Sequence, residues 1–285
     1  MVKPKTAAIT PPEVIERVLS QAGDDVVLVG GQALGFWVHS YGLGVPEGFA
    51  AISNDMDFLA RSAGDKESVK RFASIIKGHT IIPSDRALTA LVGQAVLDIS
   101  DDEFINIDVI FKVIGIKPEL IRRRAVRVQD GKSAFLVMHP LDVLHSRLAN
   151  IHQLADKKDT PKKEAKSLMQ LAMGINVARE FLRAEASRLK TTDKNTAIGR
   201  SPIQGYVSAI EKFATGDAGR KVAQRHGLHV ADAIDASLIP AGPFWDKRWP
   251  GLKKLMSPGY AALFKPPASA KTAAVPARPA RKRSP

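Results

Sequence analysis

The chain contains no cysteine. That absence excludes disulfides, thiolate metal sites and a cysteine nucleophile together. It also lacks any apolar run of 18 residues, so no membrane-spanning helix is expected. The opening stretch "MVKPKTAAITPPEV" is basic but has no apolar core of the signal-peptide kind. These absences lead to the expectation of a cytoplasmic protein with no membrane partner. Aromatic residues are sparse at 6%, yet hydrophobic residues make up 45% of 285, enough to fold one large domain or two moderate ones without staples. No internal repeat is visible.

Acidic residues are in short supply, 29 against 42 Lys and Arg, for a net charge of +13. Six basic residues and no acidic one lie from Lys265 onward, which leaves +7 on the rest of the chain. The segment "KPPASAKTAAVPARPARKRSP" is rich in Pro and Ala and reads as a disordered tail. A body that is basic as well favours a polyanionic partner, of which nucleic acid is the commonest.

Patterning along the chain predicts a helix over 12–21, opened by proline and closed near a glycine. "DVVLVGG" reads as a short buried strand, "QALGFWVHSYG" as a helix on the sheet, and "LGVPEGFAAI" as a loop. A strand is expected over Ser53–Ala60, then a helix in "DKESVKRFASIIKG". Two further strands follow, joined by the acidic turn Ser100–Asp102. "KPELIRRR" reads as a short helix, and "AVRVQDGKSAFLVM" as a hairpin about an Asp-Gly turn. Beyond Met138 the pattern turns helical. Three regions are therefore expected: an α/β domain over 1–138, a helical region over 139–264 and a basic tail over 265–285.

The stretch "SNDMDFLA" stands out. Two carboxylates, Asp55 and Asp57, sit one residue apart in an apolar frame, where a core-facing strand would carry Val or Ile. On a strand they would share a face with Ser53, their α-carbons roughly 6–7 Å apart. Such a pair suits hard cations, one or two Mg²⁺ ions, which remove the repulsion. A third acid, Asp108, lies with Asn106 opposite the apolar face Ile105, Ile107, Val109 and Phe111. Asp98 is the rival for that third place, whereas Asp101 and Asp102 fall in the turn. Upstream, Gly30 and Gly31 stand between a strand and a helix. Paired glycines admit close backbone approach, and a helix N-terminus attracts anions, so a triphosphate is expected there. A glycine pair with three acids suits in-line attack on a nucleotide α-phosphate.

In that order, "GGQAL", "NDMDF", "INIDVI" and "HPLDVLHSRLANI" resemble the DNA polymerase β-type nucleotidyltransferase superfamily, and more closely its abortive-infection and type IV toxin-like bacterial branch. The resemblance covers roughly residues 25–170. It implies a mixed-sheet nucleotidyltransferase domain followed by a helical region. It also implies an enzyme that moves a nucleoside monophosphate from an NTP to a hydroxyl acceptor. Asp55, Asp57 and Asp108 would then be the catalytic, metal-holding acids. Gly30, Gly31, Gln32, Ser53 and Arg147 would attend the nucleotide. The implied partners are an RNA acceptor such as tRNA and a cognate antitoxin. Three departures from the branch stand out, the first a long spacer between the glycines and Asp55. Arg147 occupies the place where its helical motif carries lysine, and the basic-acidic motif is echoed only by "DKKD".

Blander readings stand beside these. A lone Gly-Gly is most often a tight turn, and a lone Asp-x-Asp a solvated strand edge. Arg122–Arg124 read as a solvated helix end, with nucleic-acid contact as the other reading. His39, His139, His145 and His152 have no metal-ligand spacing. "PFWDKRW" reads as a local hydrophobic anchor in preference to a base-stacking platform. For the whole chain, the rivals to an RNA-modifying enzyme are a non-catalytic binding module of the same fold and an antibiotic-type small-molecule adenylyltransferase. The basic charge suits a cationic antibiotic poorly.

Overall fold

A computed structural model describes residues 5–47, 53–84, 86–130, 133–153, 160–192, 202–239 and 242–266. The Asp-Gly turn after Asp130, "DKKD", the loop residues 48–52 and the tail from residue 267 lie outside the described residues.

The first half is an α/β unit. In chain order it comprises β1 (Thr6–Ala7), α1 (Pro12–Gln21), β2 (Val27–Val29), α2 (Gly30–Ser40), β3 (Met56–Leu59), α3 (Lys66–Ile76), β4 (His79–Ile81), β5 (Leu91–Asp98), β6 (Glu103–Ile110), α4 (Pro118–Arg124), β7 (Val126–Asp130) and β8 (Ser133–Val137). The eight strands form one mixed sheet in the order β4-β5-β6-β3-β2-β8-β7, with β1 pairing beside β6. The decisive feature is the centre. β3 and β6 run parallel, with Met56 opposite Ile107, Asp57 opposite Asp108 and Phe58 opposite Val109. β2 joins β3 antiparallel and puts Val29 opposite Asp57, while β5 joins β6 antiparallel and puts Gln94 opposite Asp108.

Burial explains why these segments hold their register. Met56, Phe58 and Leu59 are fully buried, as are Leu28 and Ile107. Phe58 stacks on Phe72 of α3, ring centroids 4.5 Å apart. Sliding β3 by one residue would put Asp57 where Phe58 now packs, so the core fixes which residues face the other side of the sheet.

The second half is helical: α5 (Pro140–Gln153), α6 (Pro161–Thr192), α7 (Pro202–Thr215), α8 (Asp217–His226), α9 (Trp249–Lys253) and α10 (Pro258–Ala261), with short 3₁₀ turns between α8 and α9. It has its own apolar cluster, in which Phe244, Trp245 and Trp249 are buried against one another. "PFWDKRW" is thus packing. The two halves meet at α5 and α6. Val143 and Met173 belong to the sheet's core, whereas Leu144 and Leu171 belong to the helical one. Among the described residues no helix is long and apolar enough to cross a membrane.

Three details differ from the sequence reading. The strand around the acids is shorter than Ser53–Ala60, so Asp55 lies in the bend before β3 and strand alternation does not place it. β1 and β4 are short, exposed strands that carry little hydrophobic signal. Two of the three arginines at the end of α4 are tied down: Arg122 donates to the Ala60 carbonyl and Arg124 pairs with Asp142. Arg123 is exposed, as a solvated helix end would be.

Candidate metal centre

Asp57 and Asp108 owe their meeting to the sheet. Because β3 and β6 are parallel neighbours in register, each presents its acid beside the other. Asp55 arrives from the bend, where Ser53 Oγ donates to its Oδ1 at 2.9 Å. One carboxylate oxygen from each of Asp55, Asp57 and Asp108 lies within 4.8 Å of the others. All three residues are half-buried. Asp98, the rival, lies at the end of β5 and pairs with Lys5 at 2.9 Å, away from this group.

The two glycines make room for the acids. Gly30 has φ +68°, and a Cβ built there would stand 1.9 Å from Asp57 Oδ2. A Cβ on Gly31 would stand 2.5 Å from Ser53 Oγ. Both therefore allow the start of α2 to press against the acid loop, and the Gly31 amide donates to the Asp57 carboxylate. Gln32 continues the contact, its Nε2 donating to the Ser53 carbonyl at 3.4 Å.

Asp108 is oriented by two amides that donate to the same oxygen: Asn106 Nδ2 at 2.6 Å and Gln94 Nε2 at 2.9 Å. Its Oδ1 is thereby occupied. Asn106 shares the face of Asp108 by strand alternation, and Gln94 is the cross-strand partner.

Arg147 of α5 reaches this face from the helical half. It is buried, 8% exposed, and its Nη1 donates to Gln170 Oε1 of α6 at 3.1 Å. No ion pair between Arg147 and an acid is formed among the described residues, yet its charge acts on both Asp55 and Asp57. From α6, Lys166 Nζ donates to Asn54 Oδ1 at 3.3 Å. The arginine expected from the helical motif thus lies near enough for its charge to act on the acids. Gln94, Lys166 and Gln170 were not anticipated. A signal existed for each: Gln94 is a polar residue in an apolar strand, like Asp108, and Lys166 and Gln170 are four apart on one helix face.

The electrostatic result is concentrated on Asp57. Burial, then the charges of Asp55 and Asp108, push its carboxyl up to about 8, although Arg147 and the Gly31 amide pull the other way. Burial raises Asp108 too, against the hydrogen bonds from Gln94 and Asn106. A cluster of three acids whose central member resists ionisation gains from a cation, and its donors are all hard carboxylate oxygens. The set suits Mg²⁺ or a similar divalent ion in preference to a soft metal. Compared with known proteins, the chain matches no family model and no curated sequence.

Proposed function

We propose that the protein is a Mg²⁺-dependent nucleotidyltransferase. It moves a nucleoside monophosphate from an NTP to a hydroxyl on RNA, such as tRNA, and releases pyrophosphate. One observation carries the reading. The carboxylates of Asp55, Asp57 and Asp108 converge within 4.8 Å on two neighbouring parallel strands and the bend before them, at the start of a helix that glycines allow to come close.

Asp55, Asp57 and Asp108 hold the metal. Bound there, Mg²⁺ neutralises phosphate charge and makes the acceptor hydroxyl more acidic. The remaining work falls to side chains. The acceptor oxygen attacks the α-phosphorus, and the bond to the bridging oxygen of the leaving pyrophosphate breaks. Asp108, with Oδ1 held by Asn106 and Gln94, is oriented to accept the hydroxyl proton through Oδ2. Arg147 supplies a buried positive charge toward the polyphosphate, and Gln170 fixes its guanidinium. Gly30, Gly31, Gln32 and Ser53 form the wall against which the nucleotide lies.

The net charge of +7 outside the tail favours RNA over a cationic antibiotic as acceptor. The family resemblance adds a role as a cytoplasmic toxin held in check by an antitoxin. Incubating the protein with Mg²⁺, each labelled NTP in turn and total cellular RNA tests the reading. Label should pass to RNA with one or more NTPs and not with Asp57→Asn. No transfer to any RNA, or equal transfer by the variant, overturns it.

A further inference from the structure

A second cleft, of about 540 Å³, opens where β3 and β6 end. Its lining is strongly positive. Arg61, Lys112, Lys117 and Arg122 face it, against the single acid Glu119. Arg61, Lys112 and Lys117 are exposed and form no ion pair among the described residues. Arg122 is held by the Ala60 carbonyl through Nη2, while its buried Nη1 has no hydrogen-bond partner. Phe111 lies half-exposed in the same wall, and the Lys112 ammonium stands over its ring at 5.1 Å. Four cations gathered around an open cleft repel one another, so the arrangement favours an anionic occupant.

The position of the cleft says which anion. Ala60 and Phe111 stand three positions beyond Asp57 and Asp108, just past the ends of β3 and β6. At about 3.3 Å per residue their α-carbons lie about 10 Å from those of the acids, and alternation turns the Phe111 side chain to the other face from Asp108. A strand whose reacting end lies at the acids reaches the cleft within a few nucleotides by passing over the ends of β3 and β6. The exposed head groups of Arg61, Lys112 and Lys117 fit phosphate oxygens, and the half-exposed Phe111 ring beside them offers a base a stacking surface. An acidic peptide would use the cations but not the ring.

We propose that this cleft binds the phosphodiester backbone of the RNA acceptor and directs its reacting end to the acids. The inference rests on the transferase reading for the second half of that statement only. Binding itself is tested without nucleotide.

The experiment is fluorescence anisotropy of a labelled single-stranded RNA, titrated with the full chain at several salt concentrations. The combined variant Arg61→Glu, Lys112→Glu, Lys117→Glu alters exposed side chains alone. It should weaken binding by about 100-fold and make the log–log salt slope shallower by about 2, since each phosphate contact contributes roughly 0.7 on single strands. A second variant with glutamine at the same three positions separates charge loss from charge reversal and should show the same change in slope. Stabilisation by NTP with Mg²⁺, read as a thermal shift, should be unchanged in both variants. Unaltered RNA affinity overturns the inference. So does a labelled polyglutamate that binds more tightly than RNA and loses its binding in the variants. If the wild-type chain shows no stabilisation by NTP with Mg²⁺ but its RNA binding still depends on these residues, the transferase reading fails and the RNA cleft stands.

Discussion

Two carboxylates, the half-buried Asp57 and the fully buried Asp142, receive opposite treatment in this molecule. Asp142, on α5, has no exposed surface, and the Arg124 guanidinium contacts it directly. Even so, burial raises its carboxyl to about 6. Asp57 is raised further, to about 8, and its nearest charged company is two more acids. Arg147 acts on it from a distance and is tied to Gln170. Asp142 has a partner in contact, at the place where the two halves of the fold join. Asp57 is left facing its like, and under the proposed function the compensating charge comes from outside. Burial then serves packing in one case and, on that proposal, cation capture in the other.

The strongest way to break this comparison is to neutralise Asp57. Asp57→Asn should lower transfer by at least about a thousandfold, the several kcal/mol attributed to a metal-ion site. At pH 8 and without Mg²⁺ the variant should also unfold at the same or higher denaturant concentration than wild type, because a repulsion has been removed. A variant that transfers normally, or that is clearly less stable, contradicts the distinction drawn here.

Removing the contact cation should do the reverse. Arg124→Ala leaves Asp142 buried without its partner and should cost about 1–3 kcal/mol in chemical denaturation, less than a fully buried pair because Arg124 is 43% exposed. Adding Asp142→Asn to that variant should recover a large part of the loss. A cost below about 1 kcal/mol would show that the pair is no more than a surface contact.

A similar effect is expected at Gly30. Gly30→Ala puts a side chain at φ +68° against the Asp57 carboxylate. The strain should amount to about 1–3 kcal/mol, together with weakened Mg²⁺ binding as Asp57 is pushed aside. Isothermal titration with Mg²⁺ reads the second part, and wild-type affinity in the variant would mean the acid loop moves freely.

The gentlest probe is pH. Both carboxyls are raised above their ordinary value of 3.8, so the folded chain holds protons that the unfolded chain has released. Their stabilisation is complete below about pH 4 and fades as pH rises, by about pH 6 for Asp142 and about pH 8 for Asp57. Metal-free protein should therefore lose stability between pH 6 and 8. Asp57→Asn should flatten that segment and make the fall between pH 4 and 6, which Asp142 shares, shallower, and the stabilisation by Mg²⁺ should grow from pH 6 to 8. Melting curves that run parallel for wild type and variant from pH 6 to 8 would remove Asp57 from this account.

How much of this was legible beforehand follows from the physics of each part. The three acids could be chosen from sequence because an ionisable residue in an apolar frame is costly wherever it lands, and Asp57 and Asp108 each sit in one. Strand alternation does not place Asp55, since the strand begins after it and the bend, steadied by Ser53, brings it in. In the sequence the glycines suggest room for phosphate. What they demonstrably admit is Asp57 and Ser53, a contact between residues 22 or more apart that spacing alone does not reveal. Arg122 and Arg124 looked like a solvated run because nothing local marks Ala60 or Asp142 as their partners.

By itself the sequence determined the elements with strong periodicity, the change from α/β to helical character after Met138, and the identity of the acids. Those depend on short-range patterns and on the cost of burying charge, both of which a linear chain displays. The tertiary structure alone decided that β3 and β6 lie side by side and in parallel, which sets Asp57 against Asp108. It alone brought Arg147, Lys166 and Gln170 across from the helical half. Strand order and helix docking are settled by burial between segments distant in sequence, so no local stretch carries them.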